Sequence, residues 1–198
     1  MELVLRYRYL PYLTVLLLVF SLIPLIFVHR LLHTPFGVIF VTALTAPFWY
    51  VIGDIITEVY GFKAFIRLFR WVLLCELIFL LLSYCLLNLK LWASYSLSLP
   101  YEIVFNSKFN ITLIKLGFIY TAYAINAYLL DYWKKIFQGR YFWFRMMAAA
   151  AIGYLWVIAI LMVFASDFLP YDHDIGFVSL ALIFKLTMMG LVGTVARK

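Results

Sequence analysis

Leu10-Pro-Tyr-Leu-Thr-Val-Leu-Leu-Leu-Val-Phe-Ser-Leu-Ile-Pro-Leu-Ile-Phe-Val28 is an apolar run without a charge, preceded by Arg6 and Arg8 and followed by His29 and Arg30. At about 1.5 Å per residue, a helix of this length covers the roughly 30 Å of hydrocarbon in a bilayer. Two arginines ahead of an apolar stretch also open a secretory signal. This run continues to Val28 with no small-residue cleavage site, so it reads as a retained first helix.

Further runs approach the same length downstream. They predict helices at Phe36 to Ile56, Leu68 to Leu87, Leu113 to Leu130, Arg145 to Phe164 and Ile175 to Val195. The expected separators are His29 to Pro35, Gly61 to Arg67, Asn88 to Asn110, Asp131 to Phe144 and Ser166 to Asp174. The predicted fold is therefore all-α: one domain over residues 1–198, a polytopic membrane bundle of six transmembrane helices. Composition agrees, with 67% hydrophobic, 20% aromatic and 13% charged residues, where a soluble domain carries about 25% charged residues.

The net charge of +7 does not point to nucleic acid, because the basic residues stand in short clusters between apolar runs. Lysine and arginine are costly to translocate, and here they alternate by loop. Arg6 and Arg8, then Lys63, Arg67 and Arg70, then Lys134, Lys135, Arg140 and Arg145, then Arg197 and Lys198 fall on one side, which places both termini in the cytoplasm. Arg30, Lys90 and Lys108 fall on the other. Cys75 and Cys85 share one predicted helix about 15 Å apart, too far to bridge, and say nothing about redox compartment.

The stretch Pro47-Phe-Trp-Tyr-Val-Ile-Gly-Asp-Ile-Ile-Thr-Glu-Val-Tyr-Gly61 concentrates the polar chemistry. Pro47 lacks an amide hydrogen and Gly53 and Gly61 permit unusual backbone, so a broken helix is expected. Asp54 and Glu58 stand four apart on one face with Thr57 beside them; two carboxylates in hydrocarbon require cations, donors or water. They are either interfacial acids paired with Lys63 or Arg67, or a polar face on a solute pathway with Trp49, Tyr50 and Tyr60 available to stack on a flat ring. Asn126, amid Tyr120, Tyr123 and Tyr128, suits either recognition of a heteroaromatic solute or interhelical hydrogen bonding. Lys185 falls near mid-membrane, with Asp54, Glu58 or Glu76 as its partner and either an ion-pair or a coupling role.

Glu76 and Lys115 are expected near helix ends, and Ala149 with Gly153 forms a small-residue step for close helix packing. His29 with His33 and Asp172-His173-Asp174 lack a complete metal-ligand set. No phosphate-binding glycine loop, paired-histidine zinc motif or serine elbow occurs, so neither an enzyme nor a cofactor is expected.

Gly53-Asp54-Ile-Ile-Thr-Glu-Val-Tyr-Gly-Phe-Lys63 resembles the queuosine precursor transporter family, bacterial inner-membrane proteins of the vitamin-uptake-like group. Ile125-Asn-Ala-Tyr-Leu-Leu-Asp-Tyr-Trp-Lys134 followed by Gly139-Arg-Tyr-Phe-Trp-Phe-Arg145 is similar to that family's fourth helix, basic loop and start of the fifth, and Ser179 to Lys185 is similar to its last helix. The resemblance implies a six-helix importer of 7-deazaguanine bases such as 7-cyano-7-deazaguanine. Asp54, Thr57, Glu58, Asn126, Lys185, Trp49 and Tyr50 would then line the substrate path. Expected partners are a small heterocyclic base and the lipid bilayer, with homo-oligomer formation left open and no nucleic acid. One departure stands out: after Arg145 the family carries two serines and an acidic residue, where this chain reads Met146-Met-Ala-Ala-Ala-Ala-Ile-Gly-Tyr154. The loss of those polar groups keeps open a non-transporting membrane scaffold, or a substrate-binding subunit of a larger transporter.

Overall fold

The computed structural model describes residues 8–27, 31–34, 37–87, 109–164, 183 and 187. Five helices carry it: α1 (Leu10–Phe27), α2 (Thr42–Tyr60), α3 (Phe62–Leu87), α4 (Phe109–Ile136) and α5 (Phe142–Phe164). A short antiparallel hairpin joins α1 to α2, with strand β1 (Leu31–Thr34) paired to strand β2 (Gly37–Phe40) from Leu31 opposite Phe40 to Thr34 opposite Gly37. The predicted sixth helix lies outside the described residues except for Ile183 and Thr187, which are helical. The Thr187 hydroxyl donates to the Ile183 carbonyl at 2.8 Å.

The hairpin corrects the expected start of the second helix at Phe36 and adds a strand pair to an otherwise helical fold. Val38, Ile39 and Phe40 are β-branched or aromatic, and a four-residue apolar run has no period that separates strand from helix. The expected break at Pro47 is also absent, since α2 runs unbroken from Thr42 to Tyr60. Pro47 is the sixth residue of α2 and has no N–H for the carbonyl one turn back, yet the helix continues past that one missing bond. Helices α3 and α4 are longer than expected, at 26 and 28 residues. Lys63, Arg67, Asp131 and Lys134, read as marking separators, extend the helices instead.

Helices α2 and α3 meet at a single residue, Gly61, whose φ of +87° lies where side chains are disfavoured. Its amide donates to the Thr57 carbonyl at 2.9 Å and closes the last turn of α2. Helix α2 packs against α1, α3 and α4 and touches α5, so it stands at the centre. Small residues allow α5 its close approach to α4: a Cβ on Gly153 would lie 3.0 Å from the Ala122 carbonyl oxygen, and Ala149 is fully buried. The predicted small-residue packing step is thus present.

Large apolar side chains face outward, and several polar ones are enclosed within a mostly apolar core. Trp71, 62% exposed, heads an outward row on α3 with Leu74, Ile78, Leu81 and Leu82, while Asp54, Thr57, Glu76, Asn126 and Arg145 are buried. Apolar side chains outside and polar ones inside suit a protein whose surrounding solvent is hydrocarbon. Among the described helices α1 is the one clearly long and apolar enough to cross a membrane, with mean hydropathy 2.4. Its Thr14 and Ser21 hydroxyls bond the Leu10 and Leu18 carbonyls, each at 2.8 Å.

Candidate functional site

Two polar layers lie along α2, one turn apart. The deeper is built on Asp54, 1% exposed, whose carboxylate accepts a 2.6 Å hydrogen bond from the Asn126 amide of α4. Only the NH₂ end of an amide donates, so this bond fixes the orientation of Asn126 and turns its oxygen away from Asp54. That oxygen is buried and has no hydrogen-bond partner among the described residues; the same holds for the Trp49 indole nitrogen. A buried acceptor and donor left unmatched are the kind of groups a bound solute satisfies.

Closely packed rings wall this layer. Tyr123 of α4 lies 4.1 Å from Tyr50 and 4.4 Å from Trp49, centroid to centroid, and 5.3 Å from Phe69 of α3. Phe69 stacks in turn on Phe65, whose ring covers Gly53; a Cβ there would lie 3.0 Å from the Phe65 ring. Gly53 thus serves close approach, and the helix does not break there. Thr57 is buried, but its hydroxyl donates to the Gly53 carbonyl at 2.9 Å inside α2.

The outer layer is an ion-pair latch. Arg145 of α5, fully buried, donates through both terminal nitrogens to the two Glu58 carboxylate oxygens, at 3.0 and 3.1 Å. It also donates to the carbonyls of Leu130 at 3.3 Å, Gly139 at 3.2 Å and Arg140 at 3.0 Å. One guanidinium thereby ties the end of α2 to α4 and to the turn before α5, using its fork of donors. That turn holds Gln138, Gly139 and Tyr141 at positive φ, a conformation costly for the two non-glycines. Lys134 adds a bond to the Glu58 backbone carbonyl and stands 3.8 Å from its carboxylate. Lys63 and Arg67 are exposed, so Glu58 takes its cations from α4 and α5 and not from the start of α3.

Asp54, Asn126, Trp49 and Tyr50 therefore come together, with Thr57 alongside, and Glu58 belongs to the latch. Lys185, Asp172, His173 and Asp174 lie outside the described residues. Glu76 corrects the expected helix-end placement: with α3 beginning at Phe62 it falls in mid-helix and is buried, 1% exposed. Reading the sequence missed the latch role of Arg145, although an arginine just inside an apolar helix start was a signal that it had a carboxylate to meet.

A family model described as "Putative vitamin uptake transporter" matches residues 41–196. The chain belongs to this family. A membrane location and a transport role, in place of an enzymatic one, follow from that membership. No curated protein and no solved structure matches the chain. The family match takes in α2 through α5, and so Asp54, Asn126, Glu58, Arg145 and Glu76, while α1 and the hairpin up to Phe40 precede it.

Proposed function

We propose that this member of the vitamin uptake family is a multi-pass importer in a bacterial inner membrane, with six spans and both termini cytoplasmic. Its cargo is a flat 7-deazaguanine base such as 7-cyano-7-deazaguanine. One observation carries the reading: Asp54 and Asn126, far apart in sequence, join at 2.6 Å beside three clustered rings. Adjacent N–H donors on a guanine-like edge suit a carboxylate, the Asn126 oxygen accepts a further donor, and the Trp49 N–H serves a ring acceptor. Tyr50 and Tyr123 face each other closely, so a planar solute enters only when α2 and α4 part. The Arg145–Glu58 latch ties the same helices at the end the lysines and arginines mark as cytoplasmic, and acts as the inner gate in an alternating-access cycle.

The test is uptake in cells unable to make the base, read as tRNA queuosine at limiting external precursor. Expression of this chain restores it, and Asn126→Ala or Asp54→Asn lowers uptake far more than membrane abundance. The scaffold reading is favoured by the alanines that replace polar groups on α5, which serve packing against α4. Equal loss of uptake and abundance in those variants, or no restoration at all, decides for it.

A further inference from the structure

Glu76 lies on α3 and belongs neither to the latch nor to the Asp54–Asn126 pair. It is the fifteenth residue of a 26-residue helix, about 21 Å from the N-terminal end and about 16 Å from the C-terminal end at about 1.5 Å per residue. Its side chain is buried, and its Oε1 atom has no hydrogen-bond partner among the described residues. The helices packed on α3 are α1, α2 and α4. From α1, the Ser21 hydroxyl comes within hydrogen-bonding reach of the Glu76 carboxyl. From α4, Tyr123 stands within electrostatic range of it. From α2, Tyr50 and Asp54 stand on the Tyr123 side, with Tyr50 and Tyr123 in hydrogen-bonding reach of each other. No described lysine or arginine forms an ion pair with Glu76.

An ionised carboxylate so placed costs several kcal/mol unless something neutralises it. A hard metal cation calls for about six oxygen ligands. Here the described neighbours supply two hydroxyls, and the carbonyls of an unbroken helix are already bonded. A proton needs no such cage. We infer that Glu76 is a proton-carrying site, linked by Ser21 on one side and by the Tyr123, Tyr50 and Asp54 series on the other, and that it couples solute import to proton entry. The carboxylate takes up one proton from the outer side and releases it to the inner side, with solute and proton moving in the same direction. This rests on the transport reading, and the experiment separates the two.

The full-length chain is purified and reconstituted in lipid vesicles. Infrared spectra across neutral pH show a protonated buried carboxyl in the wild type that is lost in Glu76→Gln. With the outside one pH unit more acidic, the wild type accumulates labelled 7-cyano-7-deazaguanine about tenfold for one proton per solute. Glu76→Gln keeps gradient-free exchange of the label but loses accumulation, and Glu76→Asp, which still titrates, regains it. Equal accumulation by wild type and Glu76→Gln, or identical infrared spectra for the two, overturns the inference. Absence of any exchange by folded wild type overturns the transport reading instead, and the infrared comparison then decides by itself whether Glu76 holds the proton.

Discussion

Removal of Glu58 should destabilise the protein through Arg145 more than through any contact Glu58 makes for itself. Arg145 has no exposed surface, so Glu58→Ala strands a guanidinium that keeps only three carbonyl acceptors, from Leu130, Gly139 and Arg140. Breaking a buried pair from one side costs about 3–5 kcal/mol. The Glu58 side chain is 21% exposed and also faces Lys134 at 3.8 Å, which points to the lower end, about 3 kcal/mol. For a chain of this size that is a fall of about 6–12 °C in Tm. Arg145→Met should cost a similar amount, because it leaves three backbone carbonyls and Glu58 short of donors. The double variant should be milder than the sum, giving a coupling above about 1.5 kcal/mol in a double-mutant cycle. The surface pair Lys135–Asp131, 3.4 Å apart within one helix with Lys135 exposed and Asp131 half-buried, is the internal control, and should couple by about 0.5 kcal/mol or less. Thermal unfolding in detergent, followed by tryptophan fluorescence, measures all of these. Indistinguishable couplings for the buried and the surface pair would refute the latch.

Thr57→Val should leave both uptake and stability nearly unchanged, because its hydroxyl serves only a carbonyl of its own helix; a large uptake defect would restore Thr57 to the substrate path. Trp49→Phe keeps a buried ring but removes the unmatched indole N–H, so affinity for the base should fall about tenfold while Tm moves little. Binding titration on purified protein checks it, and unchanged affinity rules the indole out of recognition. Gly153→Ala places a carbon 3.0 Å from the Ala122 carbonyl oxygen and 3.4 Å from Asn126 Cβ, and should cost about 1–3 kcal/mol, read as a lower Tm. Neutrality would show that α5 is not held close to α4.

How much of this was readable in the sequence follows from the range over which each feature is encoded. The apolar run of α1 is a local signal, and the helical fold follows from runs like it. Helix ends were harder, since Lys63 and Arg67 are charged but remain good helix formers, and charge alone does not stop a helix. The hairpin over 31–40 was hidden because its second strand is apolar without a period. Within the site, the Asp54 motif and Asn126 were each visible, but their meeting depends on α2 crossing α4. Glu58 and Arg145 lie 87 residues apart, and no local pattern around Arg145 names Glu58 as its partner. Burial of Glu76 depends on how three other helices close over α3, which no local pattern specifies.

The one-residue corner at Gly61 has a mechanical consequence. Consecutive Cα atoms are about 3.8 Å apart, so α2 and α3 have no slack between them. A tilt of α2 must be answered at once by α3 or absorbed as torsion at that single glycine. Asp54 and Glu76 ride on the two arms of this elbow, so any movement of α2 that Gly61 does not absorb as torsion drags both, and the proposed solute and proton sites move together.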